Sequence, residues 1–177
     1  MALIAAPAFA QKIKEDPSCA EVNYAYAATR SSWFYSEMFY DLRKDGAAKQ
    51  FGEQRFDKET AYYRTVGKPA WSRSQRANWS PRDDYGPRFQ SCQFVAERKE
   101  LGDKIRQYRA TWQRDGILAD IDVWFSSKGK RFVRAERRFK DPEYPNKTYG
   151  TTEGAILEVF DYNPKAAVAP KGPFELE

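Results

Sequence analysis

Two carboxylates, Asp120 and Asp122, are spaced so that they share one face if their segment forms a β-strand. A carboxylate pair of this kind can serve acid–base catalysis or bind a ligand. Arg109 and Arg134 are predicted to lie beside Asp122 and would keep the carboxylates ionised, which disfavours a general acid and suits binding. The alternative, which we favour, is a solvated cross-strand charge ladder in which each pair contributes about 0.2–1 kcal/mol.

Histidine is absent from the chain. Its absence removes the usual general base, the usual metal ligand and every Ser-His or Cys-His nucleophile pair. Two cysteines are too few for a structural zinc site, so we expect no metal. Catalysis could use only Asp, Glu, Tyr, Lys or Arg, and no P-loop, dinucleotide fingerprint or nucleophile elbow is present. The sequence therefore favours a protein that is not an enzyme.

Residues 104–140, which contain the carboxylate pair, predict a three-stranded antiparallel meander. Asp115-Gly116 suits a two-residue type I′ turn, because both central residues of that turn need positive φ. Ser127-Lys128-Gly129 suits a three-residue loop that closes in a bulge. These turns predict that Trp112 lies opposite Ala119 and that Ile121 lies opposite Ala135.

The same register predicts one apolar face on the meander, and a shift of one residue would destroy it. Val123 is expected to lie opposite Val133 in the second hairpin. The face consists of Tyr108, Ala110, Trp112, Ala119, Ile121, Val123, Phe125, Val133 and Ala135.

Upstream of the meander, apolar and aromatic residues recur at helical spacing from Val22 to Leu42. We expect a helix over about residues 19–45 that packs an aromatic stripe against the sheet and ends at Asp45-Gly46. Residues 59–66 and 155–160 predict two further strands. The predicted fold class is α+β, an antiparallel sheet with a long N-terminal helix, in a single domain over residues 11–162. Residues 163–177 are expected to form an extended tail that can lie along a partner.

The first ten residues resemble the end of an export signal, because a short apolar run ends in Ala8-Phe9-Ala10. The run is too short to span a bilayer, and we expect no transmembrane segment. A helix without a targeting role is the alternative. Such a signal serves a bacterial periplasm or, as the second half of a bipartite address, a thylakoid lumen. Export favours a disulfide between Cys19 and Cys92 over two independent buried thiols.

The net charge of +5 is a mild excess spread along the chain, and it does not predict a nucleic-acid partner. Residues 70–89 combine arginines with aromatic side chains, a composition that can bind single-stranded nucleic acid by stacking. The same composition is typical of an ordered surface loop, which is the interpretation we favour.

The meander resembles the lipocalin-like domain of violaxanthin de-epoxidase and its relatives. GILADIDVWF and FVRAERRF, with the prolines and tyrosine that follow at Pro142, Pro145 and Tyr149, are similar to a hairpin and an Asp-Pro-Pro-Tyr pattern of that family. Cys92-Gln93 is similar to the start of an upstream strand in the family. The resemblance covers about residues 84–150. It implies a lipocalin-like barrel or partial barrel, with a carotenoid-sized cavity, in the thylakoid lumen.

The chemistry of that family does not transfer residue by residue. Gln93 matches a glutamine of the family's pocket, but non-histidine residues such as Val95 and Arg98 stand where the family has histidines. Glu158, Asp161 and Tyr162 are the remaining candidates for its acidic strand.

We therefore expect a non-catalytic accessory or extrinsic subunit of a photosynthetic membrane complex, with photosystem subunits as partners. The alternatives are a carotenoid-binding or carotenoid-modifying lumenal protein, or a bacterial periplasmic binding domain. No cofactor is expected beyond contact with a carotenoid or chlorophyll. The candidate ligand-binding residues are Gln93, Tyr108, Trp112, Asp120, Asp122 and Tyr162.

Overall fold

The computed structural model describes residues 14–76, 80–100, 102–166 and 168–175. The export signal predicted at residues 1–10 lies outside the described residues. The strands are β1 (Tyr35–Leu42), β2 (Ala48–Phe56), β3 (Thr60–Thr65), β4 (Ser72–Gln75), β5 (Arg82–Asp83), β6 (Gly86–Pro87), β7 (Phe89–Glu100), β8 (Asp103–Arg114), β9 (Ile117–Ser126), β10 (Phe132–Phe139) and β11 (Ala155–Asp161). The helices are α1 (Ala20–Arg30) and α2 (Glu143–Tyr149), and a 3-10 turn at Pro17–Cys19 precedes α1.

Nine of these strands form one antiparallel sheet in the order β4-β3-β2-β1-β11-β10-β9-β8-β7, which confirms the predicted antiparallel architecture. The last strand, β11, lies between β1 and β10 and joins the two halves of the sheet. Ser74 and Gln75 of β4 line the same internal cavity as Trp112 of β8, so the sheet curls around that cavity. Among the described residues, β4 and β7 do not pair, and the sheet stays open.

The first hairpin of the meander has the predicted register. Trp112 lies opposite Ala119, and the turn between β8 and β9 is formed by Asp115 (φ 53°) and Gly116 (φ 82°). Positive φ at both residues is what a type I′ turn requires. The predicted apolar face is buried in the core, with Ile121 1% and Val123 0% exposed, except at Tyr108 and Val133, which are half-buried.

The predicted register of the second hairpin is wrong by two residues. Val123 lies opposite Ala135 instead of Val133, because the turn is longer than predicted and the amide of Ser126 donates to the carbonyl of Arg131. A bulge between β9 and β10 then directs Phe132 into the core and leaves Val133 half-buried. Burying the larger Phe132 side chain removes more apolar surface from water. Because the register is shifted by two residues and side chains alternate along a strand, Ala135 stays on the apolar face.

The long N-terminal helix is also wrong. Helix α1 ends at Arg30, and the segment predicted as its second half forms strand β1. Strand β1 exchanges backbone hydrogen bonds with β2 on one side and β11 on the other. These partners are remote in sequence, so a local helical periodicity does not reveal them. Trp33 and Phe34, which the helical stripe would have buried, are exposed.

A disulfide between Cys19 and Cys92 fastens the start of α1 to edge strand β7, as predicted, and the alternative of two independent thiols is wrong. Hydrogen bonds reinforce the junction, because the Asp16 carboxylate accepts from the amide of Ser91 and the Ser18 hydroxyl accepts from the amide of Cys92. These hydrogen bonds hold the pKa of Asp16 below its usual range, the bond from Ser91 most strongly. Helix α1 is thereby held against the core.

Part of the C-terminal tail lies along its own chain. Phe174 forms a parallel bridge with Trp71, and the Trp71 amide donates to the carbonyl of Pro173. Arg55 and Arg64 lie over the Trp71 ring, 4.9 and 4.6 Å from its centroid.

None of the described helices is long and apolar enough to span a bilayer.

Candidate functional site

The carboxylates Asp120 and Asp122 lie on the outer face of the sheet, opposite the apolar face. Asp122 accepts from Arg109 at 3.3 Å and lies 3.7 Å from Arg138. Asp120 pairs with Lys140. This arrangement is a cross-strand charge ladder, the interpretation favoured from the sequence.

One predicted neighbour in the ladder is wrong. Arg134 does not lie opposite Asp122, because the shifted register of β10 places Glu136 there. Arg134 lies opposite Trp124 instead, and its guanidinium is 5.0 Å from the centroid of that ring.

The other predicted site residues are dispersed over the fold. Gln93 is exposed on edge strand β7. Tyr108 donates to the Glu21 carboxylate at 2.9 Å, and Tyr162 donates to the carbonyl of Phe132 at 2.7 Å. Trp112, by contrast, is buried and lines the internal cavity. The structure therefore does not bring the six predicted residues together, and Trp112 is the one that belongs to the cavity.

The cavity lies on the inner face of the curled sheet and has a volume of about 400 Å³. This volume is within the range of about 300–1,000 Å³ that small-molecule sites occupy. Strands from both halves of the sheet and helix α2 contribute to its walls. The apolar and aromatic lining consists of Tyr26, Phe39, Phe51, Phe56, Ala61, Tyr63, Trp112, Phe139, Tyr144, Tyr149, Ile156 and Phe160.

Four charged residues on the cavity lining form what we call the charged floor: Arg30, Glu37, Arg137 and Glu158. Arg137 donates to Glu158, and its guanidinium lies 4.5 Å from the centroid of the Trp112 ring. A nitrogen of Arg30 lies 4.0 Å from the Glu37 carboxylate and donates to the Tyr35 hydroxyl at 3.0 Å. Glu37 and Glu158 are 5% and 2% exposed. Burial of such charges is costly unless each one is paired.

Strand alternation explains why these charges face inward. Glu158 is in phase with Ile156 and Phe160 on β11, and Arg137 is in phase with Phe139 on β10. Side chains two residues apart on a strand point to the same face. Of the four residues of the charged floor, Glu158 is predicted from the sequence as a candidate and the other three are not. The signal in the sequence that could have identified Arg137 is a charged residue two positions from an apolar residue of the same strand, on the face that is buried.

Three buried polar atoms of the cavity lining have no hydrogen-bond partner within the described protein: Glu158 Oε2, Arg137 Nε and Trp112 Nε1. Each unsatisfied buried group costs about 1–3 kcal/mol. One is an acceptor and two are donors. A bound group that donates one hydrogen bond and accepts others would satisfy all three, and a hydroxyl or a protonated carboxyl group has that capacity.

The environment of the charged floor raises the pKa of both of its carboxyl groups. Burial, with the charge of Glu158 in addition, raises the pKa of Glu37 to about 8, against the opposing effect of Arg30. Burial also raises the pKa of Glu158, and Arg137 opposes that rise. The floor therefore binds protons more strongly in the folded protein than in the unfolded chain.

We expect stability to fall with rising pH because of Glu37. Its pKa is about 8 in the folded protein and about 4.5 as an unperturbed group, so its stabilising contribution is complete below pH 4.5 and is lost as the pH rises through 8. Glu37→Gln should flatten this decline and leave the contribution of Glu158, which has the same sign. Urea unfolding of both proteins at mildly acidic and mildly alkaline pH measures the difference. If the free energy of unfolding changes with pH in the same way in both proteins, the assignment of the decline to Glu37 is contradicted.

Among the described residues, no group of three or more His, Cys, Asp or Glu side chains is arranged to hold a metal ion. The arginines and glutamates of the floor, with the Trp112 indole, suit recognition of a polar organic group.

No family model and no curated protein sequence matches the chain. Among solved structures, the chain is similar to the Mycobacterium tuberculosis lipoprotein LppX. The two sequences are 11% identical, the match covers 81% of this chain and 93% of that chain, and the TM-score is 0.45. A similarity at this level does not assign the chain to a family.

Proposed function

We propose that the protein is a non-catalytic binding protein that holds an amphipathic small molecule in its internal cavity. The molecule has an apolar body and a polar group that carries an O–H, either a hydroxyl or a protonated carboxyl. The observation that carries this proposal is the set of unpaired buried atoms of Glu158, Arg137 and Trp112 on the lining of an otherwise aromatic cavity. A site built to hydrogen-bond a ligand discriminates strongly against analogues that lack the polar group.

The aromatic walls support the apolar half of the ligand. Ring faces and edges contribute large apolar areas, and small-molecule sites combine such walls with few polar groups that fix orientation. Arg137 and Glu158 form an ion pair that leaves one hydrogen-bonding atom of each side chain unused. The ligand's polar group is therefore expected at this pair, with its body directed along the cavity.

The photosynthetic functions predicted from the sequence remain proposals. The resemblance of residues 84–150 to violaxanthin de-epoxidase supports a lumenal accessory subunit, and a hydroxylated carotenoid belongs to the proposed ligand class. The resemblance does not separate a thylakoid lumen from a bacterial periplasm. Native isolation, mass spectrometry and an absorption spectrum test these functions. Copurification with photosystem subunits supports the accessory role, a carotenoid spectrum supports the carrier role, and a lone colourless protein contradicts both.

Displacement of Nile red tests the cavity as the binding site. We expect cetyl alcohol and palmitic acid to displace the dye and hexadecane, which lacks a polar group, to displace it much less well. Gln54→Trp should fill the cavity that Gln54 lines and weaken binding by about tenfold or more, because a ligand and the new indole compete for the same space.

Gln50→Trp is the matched control, because Gln50 lies on the same strand and lines a separate recess. It should bind as the unmodified protein does. Equal displacement by hexadecane and cetyl alcohol would exclude recognition of a polar group. Unchanged binding to the Gln54→Trp variant would exclude this cavity.

A further inference from the structure

One end of the molecule presents exposed aromatic rings beside lysines. The connection from α1 to β1, the β2–β3 turn and the β9–β10 turn meet at this end. Trp33 is 65% exposed, Tyr24 59% and Phe34 42%. The exposed lysines of the turns are Lys58, Lys128 and Lys130. We call these six residues the aromatic–lysine surface.

Two of the lysines lie directly beside the exposed rings. The ammonium of Lys58 is 4.9 Å from the centroid of the Trp33 ring, and that of Lys130 is 5.3 Å from the centroid of the Tyr24 ring. The geometry is that of a cation–π contact. Each of these two rings therefore has a positive charge over it.

Arginine contacts hold the connection that carries Trp33 and Phe34. Arg76 donates to the carbonyl of Ser32 at 2.7 Å, and Arg131 donates to the Ser32 hydroxyl at 3.4 Å. Arg131 also lies 4.0 Å from the centroid of the Tyr162 ring. The two exposed rings thus project from an anchored backbone.

Four acidic residues also lie at this end, in the β2–β3 turn and at the β7–β8 turn. Asp57 accepts hydrogen bonds from amides of its own turn, and Asp103 accepts from Ser126 and from the amide of Lys128. Glu59 and Glu100 are exposed. Lys58 and Lys130 lie over exposed rings of this surface, as described above.

We propose that the aromatic–lysine surface binds the surface of a membrane that contains anionic lipids. Tryptophan and tyrosine are favoured at the membrane–water interface, where their rings lie at headgroup level. Lysines beside them attract anionic headgroups, by about fivefold in affinity for each lysine. The combination of projecting rings with adjacent cations fits a lipid surface. The proposal does not depend on a ligand in the cavity.

Vesicle sedimentation with the full chain tests the proposal. We expect binding to vesicles of phosphatidylcholine with phosphatidylglycerol, and much weaker binding to phosphatidylcholine alone. Trp33→Ser with Phe34→Ser should reduce binding by about tenfold or more, because the interfacial contacts of both rings are lost. Replacing Lys58, Lys128 and Lys130 by Gln should reduce it by about a hundredfold.

Tyr85→Ser with Leu118→Ser is the matched control. These side chains are 66% and 46% exposed, and the Tyr85 ring lies beside Gly116 in the β8–β9 turn, at the opposite end of the sheet. This variant should bind vesicles as the unmodified protein does. Absence of binding to anionic vesicles would overturn the proposal. Binding that salt abolishes but that the Trp33 and Phe34 substitutions leave unchanged would also overturn it, because the rings would then have no part.

Discussion

Arg137→Met is expected to lower the free energy of unfolding by about 3–5 kcal/mol, because it leaves the buried Glu158 without its cationic partner. Glu158 is 2% exposed and accepts a hydrogen bond from Arg137 on the neighbouring strand. Without Arg137, Glu158 must take up a proton or remain charged in a poorly solvated site. Urea unfolding near neutral pH measures the loss.

Arg138→Met is the matched control for this substitution. Arg138 lies next to Arg137 on β10 but points to the outer face, where it pairs with Glu136 and Asp122. Its side chain is 53% exposed, and exposed ion pairs contribute about 0–1 kcal/mol. If Arg138→Met lowers the free energy of unfolding as much as Arg137→Met does, burial of the Arg137–Glu158 pair is not the reason for the effect.

The double variant Arg137→Met with Glu158→Leu separates stability from binding. Replacing a buried ion pair by apolar side chains is often neutral or stabilising by about 1–4 kcal/mol. We therefore expect the double variant to recover the stability lost in Arg137→Met and to lose the preference for cetyl alcohol over hexadecane. Recovery with an unchanged preference would show that the ion pair does not recognise the ligand's polar group.

Removal of the disulfide by Cys19→Ser with Cys92→Ser is expected to destabilise the protein by about 4 kcal/mol. The cysteines are separated by 73 residues, so the bond restricts a large loop of the unfolded chain, and the chain-entropy model gives this magnitude. Both side chains are buried, which adds the cost of placing hydroxyl groups in an apolar site.

Urea unfolding with and without reductant measures this effect. Reductant should shift the midpoint of the unmodified protein toward that of the double serine variant and leave the variant itself unchanged. A variant as stable as the oxidised protein would show that the Asp16 and Ser18 hydrogen bonds to β7 hold the junction without the disulfide.

The charged floor lies on the lining of the cavity, where apolar side chains would leave no buried atom without a hydrogen-bond partner. Natural proteins tend to break the rules of local packing at functional sites and to offset the cost elsewhere. Here Arg137 and Glu158 break the apolar pattern of two neighbouring strands at the wall of one cavity. The double variant tests whether binding is the reason.

The sequence by itself determined the features that depend on neighbours along the chain. The Asp115-Gly116 turn and the alternation around it define the first hairpin, because both act within a few residues. Strand β11 followed from a short apolar run, and the disulfide between Cys19 and Cys92 followed from the export argument.

Only the tertiary structure decided where α1 ends and which charges meet. Residues 35–42 become a strand because β2 and β11 supply hydrogen bonds on both edges, and these partners come from distant parts of the chain. The bulge near Phe132 depends on core space that the β9–β10 turn does not specify. The charged floor brings Arg30 and Glu37 together with Arg137 and Glu158, from opposite halves of the chain. Their meeting depends on the pairing of β11 with both β1 and β10, which are remote from each other in sequence, and no local pattern encodes that pairing.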